Sequence, residues 1–216
     1  MKKIILLNVF ILCILSCNNK SVDSLDNQKY IEAKSSFNRK LVDHFPKKVT
    51  SYPFQTVNSK NISKNDVRFM LYEHEKDLKN VDSVVRSLEK KSLAKYSSND
   101  SCLLIVNRFE TLKTYENVED VAITDSAKIN QDCFKNLYPI PNFIENEFSK
   151  GKNGIYLENN FDIYVLEAKK GNWFKEFKMT PNPQMPANWK NGYSKGIAVN
   201  RGKKNIDLLG CYLVVF

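Results

Sequence analysis

The sequence predicts an α+β fold, in which a largely antiparallel sheet of five to seven strands carries two or three helices on one face. All seven glycines lie in the last 66 residues, from Gly151 to Gly210, and the first 150 positions contain none. Because glycine readily adopts the positive φ that tight turns need, this distribution favours hairpins in the last third. Apolar residues also follow helical spacing in two segments and strand-like spacing in several others.

The first helical segment follows a polar stretch near the N-terminus. It runs from Leu25 to Val42, and its apolar residues Tyr30, Ala33 and Phe37 fall near one face. The helix is expected to end before Pro46, because proline disfavours helical backbone at the residue that precedes it.

The next elements alternate between irregular, extended and helical segments. Lys47–Ser63 is polar and is expected to be irregular, whereas Asp66–His74 alternates in the manner of a strand. The more apolar face of that strand contains Val67, Phe69 and Leu71. Asp82 is expected to cap a second helix that runs to about Tyr96. The apolar stripe of this helix contains Val84, Val85, Leu88 and Leu93.

The second half favours β structure. Its strand-like segments are, in order, Cys102–Val106, Ile155–Leu157, Phe161–Ala168, Trp173–Phe177, Gly196–Asn200 and Asn205–Phe216. Turn residues at 159–160 and 171–172 predict hairpins among the second, third and fourth of these segments. Turn residues at 201–202 predict a further hairpin between the last two. Prolines at 181, 183 and 186 predict a loop between the two hairpin regions, because proline has no N–H to donate to a sheet.

The first seventeen residues have the organisation of an export signal. Lys2 and Lys3 precede a twelve-residue apolar run, Ile4–Leu15, and the tetrapeptide Ile14-Leu15-Ser16-Cys17 closes the segment. Twelve helical residues would span about 18 Å, which is short of the ~30 Å hydrocarbon core, so a cleaved signal is favoured over a membrane span. The tetrapeptide resembles the lipobox of bacterial lipoproteins, in which an aliphatic, a variable and a small residue precede cysteine.

This resemblance implies that Cys17 carries a diacylglyceryl group and becomes the first residue after cleavage. It divides the chain into a signal peptide (1–16), a lipidated cysteine with a flexible tether (17–25) and a single globular α+β domain (26–216). Asn18 stands where a retention signal of the inner membrane would carry aspartate, so the resemblance implies the outer membrane, with the domain facing the periplasm. The alternative is an ordinary secretory peptide, with Cys17 as half of a disulfide.

Three further cysteines follow the signal: Cys102, Cys133 and Cys211. In an oxidising compartment they permit one disulfide with three alternative pairings. Cys102 and Cys211 lie in apolar, strand-like runs, so they are candidates to meet as neighbours in one sheet. The alternative is that all three are small buried apolar side chains. No spacing matches a zinc site.

The sequence contains no established catalytic signature. It lacks a glycine-rich phosphate loop, a Gly-x-Ser-x-Gly elbow and paired histidines at metal spacing. We therefore predict no catalytic residue, no metal and no cofactor, and structural roles for His44 and His74. The acidic residues Glu116, Glu119, Asp120 and Asp125 could hold calcium, but a solvated acidic loop is favoured because no ligand spacing fits.

The segment Lys169–Lys204 combines basic and aromatic residues. It contains nine basic residues and one acidic residue, Glu176, together with both tryptophans of the chain. Positive charge beside flat rings suits a surface that binds a polyanion or a sugar. The predicted ligand-binding residues are Trp173, Trp189, Lys190, Tyr193 and Lys195. The alternative is that the lysines keep sheet edges soluble and the rings fill the core.

These observations predict a non-enzymatic envelope lipoprotein whose domain binds a ligand or partner, such as an anionic glycan or a lipid head group. The membrane is the expected partner through the lipid anchor, and nucleic acid is not expected. Residues 188–196 are also similar to a segment of uncharacterised secreted bacterial proteins, which implies no biochemical role. The alternatives are an envelope hydrolase with a carboxylate-based site and a periplasmic inhibitor or immunity protein.

Overall fold

The computed structural model describes residues 22–50, 52–61, 66–76, 78–107, 129–143, 155–157, 160–175, 178–200 and 206–215. These residues form a mixed α+β structure, which confirms the predicted class. The predicted signal peptide, including Cys17, lies outside the described residues. The predicted tether reaches into them, and its last two residues, Ser24 and Leu25, already belong to the first helix.

Six strands form one sheet in the described residues: β1 (Phe54–Asn61), β2 (Asp66–Lys76), β3 (Ala94–Ser97), β4 (Phe161–Lys170), β5 (Gly192–Asn200) and β6 (Ile206–Val215). Their order across the sheet is β1-β2-β6-β5-β4-β3, and each neighbouring pair is antiparallel. β3 pairs only with Asp162–Val165 of β4. The last part of β4, towards Lys170, is therefore paired with β5 alone.

Three helices pack against one face of the sheet: α1 (Ser24–Ser35), α2 (Arg39–Val42) and α3 (Leu78–Lys91). Asp23 caps α1, because its side chain accepts the backbone N–H of Leu25 at 2.6 Å. Phe69 is at the centre of this apolar layer, with the rings of Phe37 and Phe45 at 5.5 and 4.8 Å. The predicted apolar face of β2 is confirmed, since all three of its residues are fully buried here.

Irregular segments cover the opposite face of the sheet. The buried residues of 103–106, 134–143 and 155–157 pack there against Ile163, Val165 and Ala198. Gly196 lies beneath this layer, and a Cβ atom at its position would come within 3.0 Å of the Tyr164 carbonyl oxygen. The same Cβ atom would lie 3.3 Å from Pro141 Cδ and 3.4 Å from Phe143 Cζ, so glycine permits the close approach of the loop segment to β5.

Several predicted elements are wrong. Cys102–Val106 is not a strand, because Ile105 forms only an isolated bridge with Ile140. The segment is buried by loop packing, and a continuous apolar run predicts burial without specifying backbone pairing. Trp173–Phe177 and Ile155–Leu157 are not strands over their described residues either.

Two strands occur where the sequence did not predict them. β1 lies inside the polar segment Lys47–Ser63, and it is an edge strand whose half-exposed surface tolerates polar residues. β3 occupies the predicted end of the second helix, which runs instead from Leu78 to Lys91. Asp82 therefore lies inside α3 and is not its N-cap. Val85 and Leu88 are buried as predicted, whereas Val84 and Leu93 are exposed.

Candidate ligand-binding cleft

A cleft of about 540 Å³ opens beside the C-terminal end of β4, where β3 no longer covers that strand. Both tryptophans of the chain line it. The described lining residues are Lys135, Asn136, Leu137, Tyr138, Ala168, Lys169, Lys170, Trp173, Asn188 and Trp189. They include three lysines and three large aromatic rings, and none of these described residues is an aspartate, glutamate or histidine.

Trp189 forms the buried part of the cleft. It ends a short 3-10 helix, Ala187–Trp189, and its backbone N–H donates to the Pro186 carbonyl at 2.7 Å. The preceding proline-rich loop is closed by a 2.6 Å hydrogen bond from Asn182 N–H to the Lys190 carbonyl. The Trp189 ring meets Tyr138 edge-on at 6.5 Å, and only 4% of Trp189 is exposed.

Trp173 forms the open side of the cleft and is 59% exposed. Its indole N–H donates to the Lys170 carbonyl at 2.8 Å, so the polar atom of the side chain is already satisfied within the protein. Gly171 makes this arrangement possible with a φ of +96°, and its N–H donates to the Asn191 carbonyl at 2.9 Å. The exposed part of Trp173 is therefore an apolar ring held in one position.

The lysines at the end of β4 lie over these rings. The Lys169 Nζ atom is 5.3 Å from the centre of the Trp173 ring, and the Lys170 Nζ atom is 4.9 Å from the centre of the Trp189 ring. The cleft thus combines flat apolar surfaces with positive charge, which is an arrangement suited to a ring-bearing anion.

The facing wall is the segment that follows the 3-10 helix Asp132–Phe134. A disulfide joins Cys133 to Cys102, with 6.3 Å between their Cα atoms. The Tyr138 N–H also donates to the Tyr96 hydroxyl at 2.9 Å, which ties the wall to β3. The candidate pairing of Cys102 with Cys211 is therefore wrong, because Cys102 lies in a loop and meets Cys133 of the short 3-10 helix.

Tyr193 and Lys195, which the sequence predicted as ligand-binding residues, do not line the cleft. Both are about 95% buried on the helix-bearing face of the sheet. Lys195 Nζ lies 2.9 Å from Glu167 Oε2 and 3.1 Å from Asp43 Oδ1, and it also donates to the Lys40 carbonyl. This network attaches α2 to strands β4 and β5, so its role in the described structure is to join elements.

Glu167 connects this network to the cleft. The Tyr193 hydroxyl donates to its Oε1 atom at 2.7 Å, and Lys169 Nζ lies 2.6 Å from the same atom. Partial burial acts to raise the pKa of Glu167, but hydrogen bonds from Lys169, Tyr193 and Lys195 outweigh it and lower this pKa to about 2. Burial and the bond to Glu167 raise the pKa of Tyr193 to about 12.

The structure thus brings together two of the five predicted ligand-binding residues, Trp173 and Trp189. Lys190 is exposed but is not among the residues that line the cleft. Lys135 and Tyr138 were not predicted, because their segment reaches the cleft through the disulfide and the Tyr96 contact. Lys169 and Lys170 belonged to the predicted basic segment, but nothing in their spacing distinguished them from its other lysines.

The other candidate residues form no site in the described residues. His44 packs on Phe45 with 4.5 Å between ring centres, and its Nδ1 atom lies 3.7 Å from Asp43 Oδ1. His74 belongs to β2, and its side chain is outside the described set. The acidic residues at 116–125 also lie outside that set. Over the described ranges, no three His, Cys, Asp or Glu side chains are placed to hold a metal ion.

Comparisons with known proteins gave no match: no family model fits the sequence, and no curated protein or solved structure is similar to it. The site must therefore be interpreted from its own geometry. Over the part of the chain that the structure describes, no helix combines the length and apolar character that crossing a membrane requires.

Proposed function

We propose that this protein is a lipid-anchored protein of the bacterial envelope whose domain binds an anionic ligand, without catalysis, in the cleft beside the end of β4. One observation carries the binding proposal: two tryptophans, Tyr138 and three lysines line a single cleft, and none of its described lining residues is acidic. A glycan or a lipid head group would supply the matching anion, and the assay described below distinguishes them.

The two components of the cleft contribute to binding in different ways. The lysines attract an anion over a distance of about 8–10 Å at moderate ionic strength and thereby raise the encounter rate. The rings supply contact area, and stacking on an aromatic side chain contributes roughly 1–3 kcal/mol per ring by analogy with bases in single-stranded nucleic acids. Trp173 is suited to this role, because its position is already held by its own N–H bond to Lys170.

The anchor belongs to the same proposal. It is supported by the charged start, the apolar run and the tetrapeptide that ends in Cys17. Cys17 is separated by only a few residues from α1, which begins at Ser24. Lipidation of Cys17 would therefore keep the domain close to the membrane surface, and outer-membrane attachment with a periplasm-facing domain remains our proposal.

The hydrolase alternative is less well supported at this cleft. A carboxylate-based mechanism needs acidic groups that face the substrate, and the described part of the lining contains none. Glu167, which contacts the lining residue Lys169, is also bound to Lys195 and has a pKa of about 2, so it is not a proton donor at neutral pH. The inhibitor alternative remains a prediction without a specific supporting contact.

Binding to an array of acidic and neutral oligosaccharides and to anionic lipid vesicles tests the function. We expect acidic oligosaccharides or anionic vesicles to be retained, and Trp173→Ala to weaken that binding by at least tenfold while the thermal midpoint changes little. Trp173→Phe keeps a flat ring but loses the indole N–H, so it should restore part of the affinity. Lys48 is exposed and is not among the lining residues, so Lys48→Gln is the control and should bind as the wild type does.

Equal binding by the wild type and Trp173→Ala would contradict the proposal, because ligand would then be held elsewhere. Retention of neutral oligosaccharides alone would also contradict it, since the lysines would then have no part in recognition.

A further inference from the structure

The three lysines of the cleft differ in how their charge is compensated. Lys135 Nζ lies 2.7 Å from Asp132 Oδ1, and Lys169 Nζ lies 2.6 Å from Glu167 Oε1. Each of these lysines therefore has an opposite charge of its own beside it. An incoming anion at either position would compete with a carboxylate that is already present.

Lys170 is the exception. Over the described ranges, no aspartate or glutamate oxygen lies within ion-pair distance of its Nζ atom, which lies 4.9 Å from the centre of the Trp189 ring. Among the described lining residues, Lys170 therefore carries the one positive charge without a carboxylate beside it. An electrostatic match to the cleft requires one anionic group, positioned near Lys170.

The uncompensated charge and the exposed ring belong to the same turn. The backbone carbonyl of Lys170 accepts the indole N–H of Trp173, and Gly171 provides the positive φ between them. Both side chains line the same cleft, so a ligand that contacts both would carry an anionic group next to a flat or saturated ring. Trp173 is 59% exposed, so part of its ring is accessible to a ligand ring, although the Lys169 Nζ atom lies 5.3 Å from the ring centre.

Glu167 limits how much negative charge the cleft accepts. It remains ionised at neutral pH, since its pKa is about 2, and it stays beside Lys169. A second anionic group that approached Lys169 would meet this carboxylate, and like charges at short range repel. The arrangement therefore disfavours ligands with several charges per ring.

We infer that the cleft recognises an acidic sugar with a single carboxylate per ring, such as a uronic acid unit, with the carboxylate at Lys170 and the sugar ring against Trp173. This inference rests on the proposed function and narrows it to one class of ligand. Densely charged polymers, such as multiply sulfated glycans and polyphosphate, are expected to bind more weakly.

Titration calorimetry with four probes tests the inference: a trigalacturonate, a neutral trisaccharide of the same length, a heparin-derived oligosaccharide and phosphatidylglycerol vesicles. We expect trigalacturonate to bind most tightly. Lys170→Gln should weaken it by about tenfold, to the level of the neutral sugar. Lys135→Gln and Lys48→Gln should change it by less than threefold. Lys170→Gln keeps the backbone carbonyl that holds Trp173, so the stacking surface is preserved.

The outcomes separate this inference from the general proposal. Tighter binding of the heparin fragment than of trigalacturonate would overturn the inference, and so would an equal loss of affinity in Lys135→Gln and Lys170→Gln. Binding of phosphatidylglycerol vesicles without any sugar would also overturn it, while the general function as an anion-binding domain would stand. Failure of all four probes to bind would overturn both.

Discussion

The buried ammonium group of Lys195 on β5 lies 2.9 Å from the carboxylate of Glu167 on β4. This ion pair joins the two neighbouring strands on the face of the sheet that carries the helices. The same ammonium group contacts Asp43 at 3.1 Å and the Lys40 carbonyl. Lys195 is 95% buried, so its charge is stabilised by these partners and not by water. The contact fixes α2 against the sheet.

Lys195→Met should lower the free energy of unfolding by about 2 kcal/mol. Removing one partner from a fully buried ion pair costs roughly 3–5 kcal/mol, but Asp43 and Glu167 are partly exposed here and recover some hydration. Urea denaturation measures the difference, and Lys48→Gln should stay within about 0.5 kcal/mol of the wild type. A loss no larger than in that control would show that the network does not stabilise the fold.

The stability should fall in a defined acidic range because of Glu167. Its pKa is lowered from 4.5 to about 2 in the folded protein, so the stabilisation is fully present above pH 4.5 and is lost as the pH falls through about 2. Thermal midpoints of the wild type and Glu167→Gln, measured from pH 7 to pH 2, test this. The difference between the thermal midpoints of the two proteins should shrink between pH 4.5 and pH 2. A difference that is constant with pH would contradict the lowered pKa of Glu167.

The disulfide between Cys102 and Cys133 should contribute roughly 3–4 kcal/mol to stability. It closes a loop of 31 residues, and the entropy lost by the unfolded chain increases with the length of the closed loop. The double variant Cys102→Ala/Cys133→Ala should show this loss in urea denaturation. It should also bind anionic ligands less tightly, because the cleft wall next to Cys133 loses its tether.

Peptide mapping of the oxidised protein checks the pairing directly. A peptide that links residue 102 to residue 133 is expected. Recovery of a peptide that links residue 102 to residue 211 would contradict the pairing and would support the candidate pairing that the sequence suggested.

Lipidation of Cys17 should depend on its thiol. We expect the wild type to incorporate labelled palmitate in a bacterial host and Cys17→Ser to incorporate none. Cys13 lies inside the proposed signal peptide, which cleavage would remove. The Cys13→Ser variant is therefore the control, and it should be labelled as strongly as the wild type. Mature protein with an unmodified N-terminus would show that the export signal is an ordinary secretory peptide.

The predictions that succeeded were based on side-chain periodicity. Alternation in Asp66–His74 predicted both the strand and its buried face, because successive residues of a strand point to opposite sides. The last hairpin was predicted by a turn signal between two apolar runs and corresponds to β5 and β6. Only elements whose residue pattern reflects the local backbone geometry could be predicted from the sequence.

The failures share a physical cause. β1 is polar because it is an edge strand, so no alternation marked it. Cys102–Val106 is apolar because loops bury it, and hydrophobicity alone does not specify hydrogen bonding between strands. Tyr193 and Lys195 were grouped with the tryptophans by their proximity in sequence, although alternation along β5 turns both towards the helices.

By itself, the sequence determined the α+β class, the buried face of β2 and the presence of an aromatic, basic segment. Only the tertiary structure decided which of those aromatic and basic residues face one cleft, because the cleft is assembled from the end of β4, a proline-rich loop and a wall tied by Cys133. Contacts between residues far apart in the chain depend on how the layers pack, and no local pattern encodes that packing.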